Sequence, residues 1–268
     1  MSTIVPLVVW ALLAATFAVA KHKNRLPAAT LQQVRRRYMS IVLLISYLVY
    51  SSVSATVFQT FACEQLDDGK AYLRVDYRIE CDSSKHQAFK VFAGIMVIVY
   101  PLGVPCVYAR LLYKNRRVLR SSTNRQQNSQ VETISDLWKP YKPERFYYEV
   151  MECLRRISLT GVVVFIYPNT AAQVAVTLVI AFLFAILSTL LAPYEDMWDA
   201  RIALAGHIVV FMTMYVALLS KVDVADEREG SQEVFAGVLV AAHACMVLTV
   251  VVQAILETYL SFIRAFIR

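Results

Sequence analysis

The sequence predicts an all-α protein, a polytopic transmembrane helical bundle of about seven helices. Apolar residues make up 58% of the 268 residues and charged residues only 18%, whereas soluble domains average about 45–50% and about 25%. Charge-free runs long enough to cross a hydrocarbon core, roughly 20 helical residues, recur along the chain. These runs lack the period-two alternation of strands, which disfavours a transmembrane β-barrel.

Seven stretches of the chain carry the apolar runs. The predicted helices lie near residues 3–20, 38–62, 89–112, 147–167, 171–192, 202–220 and 234–258, and they form a single transmembrane domain over residues 1–268. A short polar link, Leu26–Gln33, separates the first two helices. The longest hydrophilic stretch is the cytosolic loop 113–146, whose middle, Ser121–Ser135, we expect to be mobile. Its end, Leu137–Pro143, alternates aromatic, basic and proline residues and is predicted to lie at the headgroup level.

The distribution of charge predicts the orientation of the bundle. If the connection Lys21–Arg37 is cytosolic and the helices alternate, the cytosolic side carries 20 of the 27 basic and 9 of the 20 acidic residues, a net charge of +11 against −4 outside. The positive-inside rule then places the N-terminus outside and the C-terminus in the cytosol. The pI of about 9.2 therefore indicates a lipid bilayer with anionic inner-leaflet lipid as the partner, and not nucleic acid.

The first apolar run has a second interpretation, as a secretory signal peptide. Phe17–Ala20 resembles a small-residue cleavage site. However, no basic residue precedes the run, and cleavage would leave Arg35–Arg37 on the outer face, which the charge rule disfavours. We therefore expect an uncleaved helix.

The outer loop between the second and third helices is bracketed by Cys63 and Cys81. Its centre alternates apolar and charged residues over 73–80, as strands do, and Asp67-Asp68-Gly69 predicts a turn before it. Because both cysteines lie on the oxidising side of the membrane, we expect a disulfide, worth about 3 kcal/mol in the chain-entropy model; the alternative is two free thiols. The remaining cysteines, at positions 106, 153 and 245, need be no more than small apolar residues.

The third helix carries Pro101, Gly103 and Pro105 near its middle. Two prolines and a glycine within five residues remove backbone donors, so the helix should bend or break there. Carbonyl groups freed at membrane depth must be covered by protein or must line water. The pattern therefore predicts either a packing kink or a helix hinge that serves gating or lines a permeation path.

The fourth helix must contain charged residues if it is to span the bilayer before Pro168. Arg145, Glu149, Glu152 and Arg156 share one face, which favours Arg145–Glu149 and Glu152–Arg156 pairs at i, i+4. The next cytosolic turn is unusually acidic and could supply partners for the arginines. The predicted intramembrane charge network consists of Glu149, Glu152, Arg155, Arg156, Glu195, Asp196 and Asp199. The alternative is that these charges snorkel to the interface.

The motifs of common enzyme sites are absent from the sequence. It has no phosphate-binding glycine loop, no HExxH, no CxxC and no GxSxG. His207 and His243 lie in the sixth and seventh predicted helices, but lone buried histidines usually satisfy a packing hydrogen bond. We therefore expect no enzymatic activity, no cofactor and no metal.

Several motifs together resemble a known family. They are L-x-V-D-Y-x-I-x-C at 73–81, Y-P-L-G-V-P at 100–105, L-W-K-P-Y-K-P-E-R-F-Y-Y-E-V at 137–150, E-C-L-R-R-I-S-L-T-G at 152–161 and A-P-Y-E-D-M-W-D at 192–199. Together they resemble the polytopic C-terminal region of large cysteine-rich protist surface proteins, and they are similar to the TRP-like C-terminal domain family. The resemblance covers about Tyr38 to Lys221 and implies a role in cation transport.

The resemblance favours an ion channel or a channel-associated sensing domain in the plasma membrane or an endomembrane. A TRP-type pore needs a re-entrant helix and a filter between its last two helices, and Lys221–Glu233 is too short to hold both. A seven-helix receptor is the alternative from topology, although Asp-Arg-Tyr and Asn-Pro-x-x-Tyr motifs are missing. A small transporter should show two halves with matching broken helices. The sequence leaves open whether copies of the chain form a homo-oligomer.

Overall fold

The computed structural model describes residues 4–23, 28–66, 69–168, 170–222 and 231–267. Most of these residues are helical, so the predicted helical fold class is confirmed. The sequence predicts one domain; in the structure the chain forms two compact units, Met1–Ile166 and Tyr167–Arg268. Each unit is described on its own below.

Unit 1 (Met1–Ile166) contains eight α-helices and a small sheet among its described residues. Its helices are α1 (Ile4–Lys23), α2 (Ala28–Gln59), α3 (Ser84–Val97), α4 (Gly103–Lys114), α5 (Arg116–Leu119), α6 (Ser122–Gln127), α7 (Ser129–Glu132) and α8 (Tyr148–Thr160). A π-helical segment, Ile98–Leu102, joins α3 to α4, so these three elements run as one long helix. Short 3-10 turns cover Ser135–Leu137, Pro143–Arg145 and Val162–Phe165.

Unit 2 (Tyr167–Arg268) consists of three long helices: α9 (Ala171–Leu191), α10 (Met197–Lys221) and α11 (Ser231–Ile267). The polar residues at the helix ends explain where these helices begin. Thr170 caps α9 by accepting from the backbone N–H of Gln173 at 3.2 Å, and Asp196 caps α10 by accepting from that of Trp198 at 2.7 Å. α9 ends at Leu191 and is followed by Ala192, which adopts a left-handed conformation before Pro193.

Among the residues that the structure describes, four helices are long and apolar enough to cross a membrane: Gln32–Gln59, Ser84–Lys114, Ala171–Leu191 and Met197–Lys221. Shorter apolar stretches occur in α1 and α11, at Leu7–Thr16 and Gly237–Gln253. The predicted helix 147–167 is shorter than expected, because α8 ends at Thr160 and the chain continues as a 3-10 turn. Gly161 at this end lies against Phe58 of α2, and a Cβ there would meet the Phe58 ring at 2.4 Å.

The predicted polar link Leu26–Gln33 is wrong in part. α2 already begins at Ala28 and continues through the arginine cluster 35–37 without interruption. Its 32 residues are therefore about 48 Å long at 1.5 Å per residue. A helix of that length can cross the bilayer and extend beyond it.

The outer loop folds as a three-stranded antiparallel sheet of β1 (Cys63–Gln65), β2 (Ala71–Leu73) and β3 (Asp76–Glu80). Gly69 adopts a positive φ of 78° in the β1–β2 connection, a conformation that glycine takes without strain. The predicted alternating strand is interrupted by a turn at 74–75, and only Leu73 of its apolar residues is buried. The predicted disulfide is confirmed: Cys63 and Cys81 are bonded across the sheet, with their Cα atoms 6.4 Å apart.

The cytosolic loop 113–146 does not match its prediction, because residues 115–146 fold onto the helices as a cap. Its short helices place a set of apolar side chains in the core of unit 1, next to Leu112 of α4. The buried members of this set are Leu119, Val131, Ile134, Leu137, Trp138 and Phe146. Trp138 and Tyr141, which we expected at the headgroups, are 6% and 4% exposed, so protein and not lipid surrounds them.

Candidate functional site

The charged helix α8 contacts α2 through Arg156 and forms an ion pair within its own turn. Glu149 and Glu152 are both 7% exposed, so each needs a partner. Arg155 donates to one Glu152 oxygen from both Nε and Nη2, at 2.9 and 2.8 Å. Arg156 instead stacks on α2, with its guanidinium 3.8 Å from the centroid of the Tyr47 ring. α8 therefore carries a part-buried ion pair on one turn and a cation–π contact to the neighbouring helix.

Glu149 connects α8 to the cytosolic cap. Its carboxylate accepts a hydrogen bond from the Tyr141 hydroxyl at 2.8 Å. Tyr141 also accepts, through its backbone carbonyl, from the Nη1 of Arg125 at 2.9 Å. Arg125 is 2% exposed and lies over the Trp138 ring at 5.1 Å. A continuous chain of polar contacts thus runs from the interior of the cap to the first turn of α8.

Tyr50 joins three helices at the centre of unit 1. It is 1% exposed, and its hydroxyl lies 3.2 Å from the carbonyl oxygen of Pro101 and 3.3 Å from that of Cys153. Pro105 has no N–H, so the Pro101 carbonyl lacks its usual intrahelical donor. The Tyr50 hydroxyl replaces that donor.

The predicted hinge residues lie at the π-helical segment. Pro101 is inside the π turn and fully buried. A Cβ added at Gly103 would lie 2.8 Å from the carbonyl oxygen of Ile98, so this close approach in the π segment requires a glycine. The helix is therefore not broken there; it gains one extra residue per turn, and α4 continues below it. Single-turn π segments inside α-helices occur frequently at functional sites.

A second pair of hydroxyl groups closes the junction on the cytosolic side. Ser46 of α2 and Tyr108 of α4 are hydrogen-bonded and are 5% and 3% exposed. Ser46 also donates to the carbonyl oxygen of Leu43 at 2.8 Å. We call the polar side chains of α2, α4 and α8 described above the polar junction. Its members are Ser46, Tyr47, Tyr50, Tyr108, Glu149, Glu152, Arg155 and Arg156.

The charge pairs differ in detail from the predicted ones. Glu152 pairs with Arg155 at i, i+3, and not with Arg156. Arg145 donates to the Tyr147 hydroxyl at 3.4 Å, while Glu149 accepts from Tyr141. The i, i+4 prediction for Glu152 and Arg156 is wrong, because Arg156 turns toward the π face of Tyr47.

The acidic turn before α10 has a local role that the sequence analysis missed. Asp196 is the N-cap of α10, and Asp199 lies in its first helical turn, where negative charge complements the helix dipole. Glu195, Asp196 and Asp199 belong to unit 2, whereas the described contacts of Arg155 and Arg156 fall within unit 1. The predicted network between the two sets stays a prediction.

The aromatic partners were the functional residues that sequence reasoning did not assign. The second predicted helix is rich in Ser, Thr and Tyr, which is a signal for helix contacts in membranes, and three of these residues, Ser46, Tyr50 and Ser54, are buried. His207 is buried in α10, and exposed His243 contacts the Leu239 carbonyl oxygen at 2.8 Å. Among the described residues, one group of potential metal ligands is close together, Cys63, Cys81 and His86, and both of its sulfur atoms are in the disulfide.

Large apolar side chains cover the outside of the long helices. Leu190, Val91 and Val240 are 76%, 68% and 69% exposed, which is characteristic of a surface that faces lipid. Together with four spanning helices, this surface defines the chain as a multi-pass helical membrane protein. No protein-family model matches the chain, and no solved structure matches it.

The chain is similar to cysteine repeat modular protein A of Toxoplasma gondii. The two are 24% identical over 237 residues, which cover 84% of this chain and 7% of that protein. The chain therefore spans a small part of the relative's length. The similarity agrees with the resemblance to cysteine-rich protist proteins.

Proposed function

We propose that this chain is the membrane region of a cysteine-rich protist surface protein and that it mediates cation transport as a TRP-like ion channel, with the polar junction as its sensing part. It would act in the plasma membrane or an endomembrane and without enzymatic chemistry. The observation that carries the proposal is the π-helical segment Ile98–Leu102, held by Tyr50 against α2 and α8.

A π turn inside a membrane helix can exist in two arrangements. A π turn holds one residue more than an α turn. If the π turn converts to an α turn, the helix that follows it rotates by about 100°, the angle of one residue at 3.6 residues per turn. Here that rotation would turn α4 and break the contact of Tyr50 with the Pro101 carbonyl. The polar junction offers competing acceptors, since the same hydroxyl also lies within 3.3 Å of the Cys153 carbonyl. Such a segment suits gating better than static packing.

We expect the charged residues of α8 to be the part of the protein that responds to a stimulus. Buried ion pairs within a membrane domain respond to voltage, ligands or protonation, and they are retained there for function more often than for stability. Arg156 contacts Tyr47 of α2 and the π segment contacts Tyr50 of the same helix, so a movement of α8 can reach the π segment through α2. This arrangement favours a sensing role over a pore built by α10 and α11, which are separated by residues 222–230 alone.

The test compares two glycine variants in the same long helix. Gly103→Ala places a methyl group 2.8 Å from the Ile98 carbonyl oxygen, whereas Gly94→Ala meets nothing within 4 Å. The purified chain is reconstituted in liposomes and also expressed in cells, and cation flux and whole-cell currents are measured. Crowding of about 1–3 kcal/mol should change the conducting fraction about 5- to 150-fold in Gly103→Ala and leave Gly94→Ala unchanged.

Two results would overturn the proposal. One is cation flux no higher than that of empty liposomes, together with currents no higher than those of untransfected cells. The other is flux through Gly103→Ala that equals that of the wild type while the protein remains folded by circular dichroism.

A further inference from the structure

A groove of about 550 Å³ lies between α4 and α8 on the side of the cytosolic cap. Its floor is apolar and contains buried Leu112, and its walls are aromatic and aliphatic. The lining residues are Ala109, Arg110, Leu112, Tyr113, Phe146, Tyr147, Val150 and Met151. Arg110 is the one charged residue among them, and none is acidic. The α4 side of the groove lies in the last turns of the span Ser84–Lys114, so the groove opens at the end of a membrane-crossing helix.

Each aromatic residue of the groove has an arginine against it. Arg116 stacks on Tyr113, with its guanidinium carbon 3.9 Å from the ring centroid, and Arg120 lies 5.9 Å from the centroid of Phe146. Arg145 donates from Nη1 to the Tyr147 hydroxyl at 3.4 Å. Four arginines therefore surround an apolar slot, counting Arg110.

We propose that this groove is a binding site for one anionic glycerophospholipid of the cytosolic leaflet. An acyl chain would lie along the apolar floor beside Ala109 and Val150. The phosphate and the anionic headgroup would be held at the rim by Arg110 together with Arg145. Guanidinium groups bind phosphate through paired N–H donors, and they do so while stacked on aromatic rings.

Charge and position both favour a lipid as the occupant. A soluble anion would bind the arginines but would make no contact with the apolar floor. A zwitterionic lipid would fill the floor, but it would not complement the positive charge of the arginines. The exposed side chains of Tyr113 and Tyr147 lie at the end of the span Ser84–Lys114, and tyrosine is enriched in membrane proteins where such spans meet the headgroups. The inference does not depend on cation transport, because it concerns binding alone.

The test is native mass spectrometry of the full chain in detergent, titrated with phosphatidylserine or with phosphatidylcholine of the same acyl chains. Arg110→Gln should weaken phosphatidylserine binding about five-fold, the change that ~1 kcal/mol per basic residue near an anionic headgroup corresponds to. Arg117→Gln is the matched control, because Arg117 is exposed on the same side of the protein and contacts no aromatic residue of the groove. It should bind like the wild type.

A second pair of variants tests the apolar floor. Ala109→Phe fills the groove and should abolish binding of both lipids, while Val107→Phe, at a 54% exposed position of the same helix outside the groove, should not. Equal loss in Arg110→Gln and Arg117→Gln would mean diffuse attraction by net charge and would overturn the proposal. If Ala109→Phe changes the mass of the oligomer and not the number of bound lipids, a second copy of the chain fills the groove and the proposal is wrong.

Discussion

The two units of this protein use their membrane helices in different ways. In unit 1 the most apolar windows of Gln32–Gln59 and Ser84–Lys114 are 33% and 39% buried within the protein, whereas those of Ala171–Leu191 and Met197–Lys221 in unit 2 are 17% and 11% buried. Unit 1 also contains the polar junction, the π segment and the disulfide. The comparison teaches that apolar composition makes a helix membrane-spanning, but that buried polar contacts give it a defined partner.

The largest expected effect in unit 1 comes from its buried ion pair. Glu152→Gln removes the charged partner of Arg155, whose side chain is 19% exposed, and should cost about 3–5 kcal/mol of unfolding free energy. The exposed pair of Arg36 with Glu132 is the matched control, so Glu132→Gln should cost about 0–1 kcal/mol. The measurement is reversible unfolding in mixed detergent and SDS. Equal costs for the two variants would mean that α8 only snorkels.

The disulfide should have the next largest effect. Cys63→Ser opens a loop with a sequence separation of 18 and should lower the unfolding free energy by about 3 kcal/mol. Cys245→Ser changes an exposed free thiol of α11 in unit 2 and should leave stability unchanged. Both variants are measured by SDS unfolding, and non-reducing mass mapping of the wild type should recover Cys63 joined to Cys81. Alkylation of both cysteines without reduction would rule the bond out in the cell.

Tyr50 provides a single-atom test of the polar junction. Tyr50→Phe removes one hydroxyl and leaves the Pro101 carbonyl without its donor, so stability should fall by about 1–2 kcal/mol. Tyr215→Phe in α10 makes the same change at a side chain that is 42% exposed and should have little effect. Thermal unfolding followed by tryptophan fluorescence gives both values. A neutral Tyr50→Phe would show that the junction is no more specific than the helix contacts of unit 2.

The smallest effect is expected at the acidic turn of unit 2. Asp196→Ala removes the N-cap of α10 and should cost about 1 kcal/mol, while Asp196→Asn retains an acceptor and should cost less. Thermal unfolding of the two variants measures the difference. A loss above that of Glu152→Gln would instead indicate that Asp196 belongs to the predicted charge network.

The sequence was informative where one physical requirement dominates. Hydrocarbon thickness fixes the long apolar runs, so α9 was predicted within one residue. The disulfide was predictable because Cys63 and Cys81 are the two cysteines outside the apolar runs. By contrast, the contact of Arg156 with Tyr47 joins positions 109 residues apart, and no local pattern specifies it. The sequence singled out the right charges in α8 without their partners.

The cytosolic cap was missed for a different reason. The polar stretch 121–135 contains the apolar residues Val131 and Ile134, which recur with Leu137 and Trp138 beyond it at helical intervals of three or four. The average polarity of the stretch therefore predicted a mobile loop, whereas the spacing of its apolar residues indicated a segment packed against the protein. The intervals between these apolar residues were the signal in the sequence for the cap.

Burial of Arg125 affects how readily trypsin cleaves the native protein at this residue. Trypsin cleaves after arginine only where several flanking residues can leave the fold and enter its active site, and Arg125 is held inside the cap by Tyr141 and Trp138. Arg125 is thus a poor tryptic site in the native protein, unlike Arg117 and Arg120, which are exposed. An epitope tag or a fluorescent protein inserted there would unfold the cap, and such fusions are better placed at the exposed tip of the outer sheet, near Gly69.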